Sequence, residues 1–406
     1  MDLQMFKHGS MGELVDITGS DPFLGEWRHK AFIPAPLGPQ EPVLSGATYR
    51  TIARARAALA ALDATARRLP NPYLLRTPVL RREAQSTSAL EGTYAPLGEV
   101  LTADEDAPAT SQMLEILNYV AMADRGFAWI QEGRPLTVGL IEDLQGRLMR
   151  GTPLEAESGR LRTTQVVIGR RDDALEGMAP IHASRFVPVP PGDHLRNGIT
   201  ALVDWLRMDH ADTIDPVVVA GMAHYQFETL HPFRDGNGRL GRYLIVLTLL
   251  SLGVLSEPTL TVSPWFEARR SRYYDALLSV STDGDWDTFL SFFAQGLEAA
   301  ATSTQRQMEA LTRVQEELKQ IVHTSSLRSA RAADLVDLAV STPSFTVRTV
   351  AERLGLSYGR ANTLVGQLVD LEILQIIDPD AQPRRFTAPR VLQVLLTGGG
   401  TSADTT

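Results

Sequence analysis

The densest chemistry in this sequence lies in His231-Pro-Phe-Arg-Asp-Gly-Asn-Gly-Arg-Leu-Gly-Arg242. His231 offers a base whose ordinary pKa lies near neutrality. Asp235 is a hard oxygen ligand of the kind Mg²⁺ prefers. The Gly236-Asn237-Gly238 turn can bring backbone N–H groups close to an anion. Arg239 and Arg242 are three apart and share one face of the helix that opens there. Cations at a helix N-terminus oppose the macrodipole by roughly 0.3–1 kcal/mol each, and a bound polyanion reverses that penalty. One segment thus combines a base, a metal ligand, an anion cradle and two phosphate clamps. Phosphoryl transfer, which depends on positioning and electrostatic stabilisation, needs little more.

The elements that must present this loop read as helices. Apolar residues recur at helical spacing over 49–69, 77–90, 112–132, 136–150, 193–210, 214–230, 239–254, 265–281 and 286–300. The turn LPNPY precedes the second of these helices and Gly92 stops it. Residues 301–325 read as a separate, polar-faced linking helix. GRLRTTQVVIG (159–169) has a β-branched run bounded by glycines and fits a hairpin, which the Pro cluster VPVPP closes off. Residues 1 to about 45 are rich in Gly and Pro; they read as extended chain lying over the surface through Trp27 and Phe32. The fold class expected is mainly α: a helical catalytic core with a small β-hairpin, then a C-terminal winged helix-turn-helix. The expected boundaries are 1–105 for the N-terminal segment and helices, 106–300 for the core, 301–334 for the linker helix, 335–396 for the winged unit and 397–406 for a disordered tail.

Composition narrows the options. A chain of 406 residues suggests two or three domains at about 150 residues each. A net charge of −9 excludes a generally basic nucleic-acid coat. With no cysteine there is no disulfide, thiolate zinc site or cysteine nucleophile, and three lysines leave few candidates for lysine chemistry. The N-terminus lacks the apolar core of a secretory signal, and the run Tyr243–Leu255 is too short to span a bilayer. A cytoplasmic location without membrane contact is expected.

The loop resembles the signature of the Fic family, HxFx(D/E)GNGRxxR, at every specified position. The resemblance runs from about residue 27 to residue 396 and includes AHYQFETLHPF before the loop and SPWFEARRSRYYDALL after it. It implies a protein adenylyltransferase that moves AMP from ATP to a Ser, Thr or Tyr hydroxyl of a target protein or of itself, with Mg as cofactor. In that reading His231 is the catalytic base and Asp235 holds the metal. Gly236, Asn237 and Gly238 cradle the anion, Arg239 holds the β-phosphate region and Arg242 meets the γ-phosphate. Tyr273 and Tyr274 are candidates for the adenine pocket, with core packing the alternative. Relatives that transfer phosphate from an inverted nucleotide lack the second glycine of the cradle, which this sequence keeps.

Two further segments gain meaning from the resemblance. GRLRTTQVVIG is similar to the family's flap, which pairs with an extended piece of the target; Thr164, Gln165, Val166, Val167, Ile168 and Gly169 are its docking candidates. Val166 and Val167 replace the Asn-Trp pair of many relatives. Thr87-Ser-Ala-Leu-Glu91-Gly92 resembles the family's inhibitory motif, (S/T)xxxE(G/N), in which Glu91 would hold Arg242 away from ATP. A Glu91 that positions a water for AMP removal is the alternative. A reading from another class is a nucleotide-sensing regulator that binds DNA through the winged unit. Residues 344–396 carry a net charge of only +1, a thin basis for DNA affinity. A protein contact or pairing into a homodimer is the competing use of that unit.

Overall fold

The computed structural model describes residues 1–6, 9–21, 25–68, 73–104, 107–327, 329–380 and 382–398. Its strands are β1 (Gly12–Asp21), β2 (Gly25–Pro34), β3 (Ile168–Arg170), β4 (Ser184–Phe186), β5 (Phe345–Thr346), β6 (Gln375–Ile376) and β7 (Arg385–Thr387). The helices are α1 (Gly46–Arg68), α2 (Tyr73–Leu90), α3 (Leu97–Thr102), α4 (Ser111–Gln131), α5 (Val138–Leu148), α6 (Pro180–Ala183), α7 (Asp193–Leu206) and α8 (Pro216–Leu230). After them come α9 (Asn237–Ser251), α10 (Ser263–Glu267), α11 (Arg270–Asp283), α12 (Trp286–Thr324), α13 (Arg331–Ser341), α14 (Val347–Leu354), α15 (Tyr358–Asp370) and α16 (Pro389–Thr397). The protein is mainly helical, as expected. No helix among the described residues is long and apolar enough to cross a membrane.

The chain divides into two compact units. The first contains residues 1–57, 121–254 and 265–298. At its centre α8 and α9 pack along each other. Every residue of α9 up to Leu250 is buried, and so is all of α8 between Val217 and Leu230 except Glu228. The apolar run Leu244–Leu250 of α9 and the Val217–Ala223 stretch of α8 have no polar face to offer solvent, which places both helices inside the fold. Asp215 caps α8, accepting from the Val217 N–H at 2.8 Å, and Pro216 fits the first helical position because the N–H it lacks has no partner there.

Three sequence expectations change. Residues 12–21 and 25–34 form an antiparallel pair of ten-residue strands, from Gly12 opposite Pro34 to Asp21 opposite Gly25, not a loose extended chain. The β-formers Leu14, Val15, Ile17 and Thr18 outweigh the flanking glycines. Phe32, 2% exposed, joins Ile181, Phe186 and Val187 in an apolar cluster, with Trp27 packed against it. The hairpin expected within 159–169 begins only at Ile168, and its partner strand is β4, with Ile168 opposite Phe186 and Arg170 opposite Ser184. Residues ahead of Ile168 bond elsewhere, as described below. The third change is in α12, which continues unbroken from Trp286 to Thr324 and merges the two helices expected at 286–300 and 301–325.

The second unit contains residues 58–120, 255–264 and 299–406. Two carboxylates of its N-terminal helices hold the segment 255–264. Asp63 accepts from the Ser256 N–H and hydroxyl, each at 2.6 Å. Glu83, 2% exposed, accepts from the Ser263 N–H at 3.0 Å and from its hydroxyl at 2.5 Å. Toward the C-terminus α13, β5, α14, α15, β6 and β7 follow one another, with the antiparallel sheet order β5-β7-β6. Ser357 caps α15 after a left-handed Gly355. That order is compatible with the expected winged helix-turn-helix. Of the tail expected at 397–406, Thr397 ends α16 and Gly398 caps it; 399–406 lie outside the described residues. So do positions 69–72 of the LPNPY turn.

Candidate active site

The loop between α8 and α9 is built by two backbone reversals. His231 ends α8 in the left-handed region at φ 49°, donating its N–H to Phe227 O at 3.0 Å. Left-handed backbone strains a residue with a side chain. Pro232 then prevents the helix from continuing. Gly236, at φ 80°, turns the chain into α9. A Cβ there would lie 2.9 Å from Leu148 Cδ2, so glycine suits both the dihedral and the space.

Side chains fix the loop between these reversals. Asn237 Oδ1 accepts from Phe233 N and its Nδ2 donates to Phe233 O, both at 2.8 Å. The Asn237 amide is thus a clamp on the loop, and its contribution to an anion cradle falls to the backbone. Phe233 itself is fully buried. Gln145, on α5, donates to Asp235 O at 3.1 Å and accepts from Gly159 N at 2.6 Å, tying the loop to the start of the flap segment.

Arg162 performs a similar bridging role from the flap side. Its guanidinium donates to His231 O at 2.8 Å, Thr164 O at 3.1 Å, Leu230 O at 3.4 Å and Val189 O. Its N–H donates to Pro232 O at 3.0 Å. A cation at the C-terminus of α8 also complements the macrodipole. Burial pushes the Arg162 guanidinium down to about 10. Gln165 donates to Val166 O at 3.0 Å and Pro188 O at 2.9 Å. These bonds hold 162–166 against the core as irregular chain, so strand pairing waits until Ile168. Thr164 and Gly169 are exposed, while Gln165, Val166, Val167 and Ile168 are half-buried.

The reactive groups converge on the loop. His231 Nδ1 lies 3.3 Å from Glu228 O, a contact that requires the proton on Nδ1 and makes Nε2 the basic nitrogen. Asp235 Oδ1 accepts from Gly236 N at 2.5 Å and faces Arg239 Nη2 at 3.5 Å. Both contacts fall on Oδ1, so Oδ2 retains lone pairs for a hard cation, and one carboxylate plus phosphate oxygens suits Mg²⁺. The metal expected from the sequence therefore fits these residues. The N-cap Gly236 makes no side-chain capping bond, so α9 begins with the kind of terminus whose first-turn N–H groups favour an anion. Arg239 and Arg242 are 2% and 0% exposed.

The two tyrosines separate. Tyr273 is 1% exposed, stacks on Phe266 with ring centroids 4.9 Å apart, and places its hydroxyl 2.7 Å from His224 Nε2. It is a core residue, and this burial leaves it no open ring face for adenine. Tyr274 is half-buried, with its ring 5.1 Å from Tyr273. Thr87, Glu91 and Gly92 belong to the second compact unit. There Thr87 is fully buried at the end of α2. Gly92, at φ 90°, donates to Ala89 O at 3.1 Å, and Thr93 donates to Ser88 O at 3.0 Å, a Schellman closure that makes Glu91 the exposed C-cap.

Sequence reading missed Gln145 and His224. Both are polar residues on the apolar, buried faces of their helices, and that mismatch was the available signal. It does not reveal the partner, which lies tens of residues away.

The loop thus sets two buried arginines at the opening of a central helix beside the His231 imidazole. Residues 49–128 match the Fic/DOC family N-terminal model and residues 135–249 match the Fic/DOC family model. Residues 49–249 thus carry a Fic N-terminal domain followed by a Fic domain. It is similar to protein adenylyltransferase fic-1 of Caenorhabditis elegans, at 35% identity over 154 residues, 38% of this chain and 26% of that protein. Against protein adenylyltransferase Fic of Drosophila melanogaster identity is 31% over 163 residues, 40% of this chain and 28% of that protein. The similarity thus spans under a third of these curated relatives' lengths. A Fic family protein from Desulfovibrio desulfuricans G20 shares the fold, with a TM-score of 0.53 at 22% identity over 86% of this chain and 98% of that one.

Proposed function

We propose that this protein is a Mg²⁺-dependent protein adenylyltransferase that moves AMP from ATP to hydroxyl side chains of a target protein and of itself. The observation that carries the reading is the imidazole held by Glu228 O directly before an uncapped helix start with two buried arginines. His231 Nε2 takes the proton of the target Ser, Thr or Tyr hydroxyl. The oxygen attacks the α-phosphorus, the bond from that phosphorus to the β-phosphate bridge oxygen breaks, and pyrophosphate leaves. First-turn N–H groups of α9 receive the phosphates. Arg239 takes the β-phosphate region and Arg242 the γ-phosphate. Asp235 would hold Mg²⁺, which would supply charge neutralisation for the phosphates. The target's extended segment docks along β3, whose residues Ile168 and Gly169 belong to the flap.

Control is proposed to be internal. Glu91, a carboxylate at the negative end of α2, is disfavoured where it stands. An arginine relieves that, and Arg242 is the one the motif nominates. While Glu91 holds Arg242, ATP binds unproductively. The relatives named adenylyltransferases support the activity, and the Glu91-Gly92 cap supports the motif assignment. Incubation with labelled ATP and Mg²⁺, followed by intact mass, tests the reading. A gain of AMP is expected; a gain of phosphate, or no change for wild type and Glu91→Gly alike, refutes it.

A further inference from the structure

A buried hydrogen-bond chain inside the first unit plays no part in the chemistry described so far. His224, on α8, and Tyr273, on α11, are each 1% exposed. His224 Nδ1 lies 3.1 Å from Gly241 O, and its Nε2 lies 2.7 Å from the Tyr273 hydroxyl. That hydroxyl also bonds the side chain of Arg242.

The direction of every link follows from what each group can donate. A carbonyl only accepts, so His224 Nδ1 carries a proton toward Gly241 O. Burial keeps the imidazole neutral, pushing it down to about 3. Nε2 of a neutral imidazole protonated at Nδ1 can only accept, so the Tyr273 O–H points at His224. The lone pairs of the Tyr273 oxygen then face Arg242, which can only donate. The chain runs from Arg242 N–H to Tyr273, from Tyr273 O–H to His224, and from His224 N–H to Gly241 O. Gly241 immediately precedes Arg242 on α9, so the chain closes on the helical turn that carries the arginine. Tyr273 cannot swing away, because its ring is stacked on Phe266 at an interplanar angle of 23°.

We propose that Tyr273, oriented by His224, is a positioning residue that aims Arg242 at the terminal phosphate and so makes the site prefer a nucleoside triphosphate over a diphosphate. This rests on the assignment of Arg242 to the γ-phosphate. A guanidinium has several staggered side-chain torsions to choose from. A fixed acceptor behind it selects one orientation before the nucleotide arrives, and a pre-organised donor loses less entropy on binding. ADP does not reach Arg242, so the effect is confined to the triphosphate.

Calorimetric titration with ATP and with ADP tests this in full-length Glu91→Gly/His231→Ala protein, which has neither the inhibitory carboxylate nor turnover. Adding Tyr273→Phe removes one oxygen and keeps the ring stack. ATP should bind up to about tenfold more weakly, the cost of ordering one long side chain on binding, while ADP stays within about twofold. His224→Gln, whose amide oxygen can still accept from Tyr273, should stay closer to the parent than His224→Leu. If Tyr273→Phe keeps the parent's ATP-over-ADP preference, or weakens both nucleotides equally, Tyr273 is structural and the proposal is overturned. A parent that binds ATP and ADP alike instead overturns the γ-phosphate assignment of Arg242, and the proposal with it.

Discussion

Arginines meet opposite fates in two regions of this molecule. Arg239 and Arg242, in the first turns of α9, are 2% and 0% exposed. Arg348, on α14, has a side chain 82% exposed and lies 2.8 Å from Glu352, one helical turn away. The first two sit where both burial and the helix dipole disfavour a cation. The third also stands in the first turn of its helix, but in water, where the dipole penalty is small, no burial cost is added and its ion pair contributes little. A position that fold stability alone would give to an apolar residue has been given to a charge, and that points to an anionic ligand.

The sharpest way to break the comparison is to disable the group beside the buried arginines. His231→Ala should abolish AMP transfer while nucleotide still binds, because the α9 donors and both arginines remain. Label incorporation and calorimetry check the two halves; transfer at the wild-type rate would end the general-base assignment. Next in size is release of the proposed restraint. A hydrogen bond to a charged group contributes roughly 1.5–3 kcal/mol, so Glu91→Gly should raise auto-AMPylation by about one to two orders of magnitude. Adding Arg242→Ala should remove that gain. Activity of Glu91→Gly no greater than wild type would discard the inhibitory reading and favour a role in AMP removal.

A smaller effect is expected at Arg162, where a buried cation serves carbonyls and no ligand. Arg162→Lys keeps the charge but loses the fork that reaches four carbonyls. Turnover in the Glu91→Gly background should fall roughly ten- to a hundredfold through misplacement of His231 and the flap. ATP affinity should hold, since α9 is untouched. Equal losses in ATP affinity and turnover would assign Arg162 to general stability.

The exposed arginines should show the smallest effect. Of the six between 344 and 396, Arg348, Arg385 and Arg390 are engaged by Glu352, Asp104 and Glu317. The full chain should therefore bind duplex DNA weakly or not at all in a fluorescence titration. Sub-micromolar affinity at about 150 mM salt would reverse the comparison and favour the DNA-binding regulator.

The sequence by itself determined the loop. A histidine followed by Pro232 must end a helix, and Gly236 allows the left-handed turn that starts the next one, so the positions of His231, Asp235, Arg239 and Arg242 follow from local backbone preference. The cap at Gly92 was legible for the same reason. Sequence reading also had what it needed for α12, and divided it at 300–301 because the surface pattern changes there. Ala299, Ala300, Ala301 and Thr302 contain no residue that stops a helix, and a change in what a face contacts does not break the backbone ladder.

Only tertiary structure decided what depends on partners far along the chain. The pairing of β3 with β4, three of the four carbonyls around Arg162 and the turn of Tyr273 toward His224 join residues separated by 14 to 69 positions. Periodicity records which face of an element is apolar, but not which element meets it. A tyrosine next to an arginine-rich helix start therefore reads equally well as a wall for adenine or as a brace for the arginine. Burial and a single acceptor geometry favour the brace.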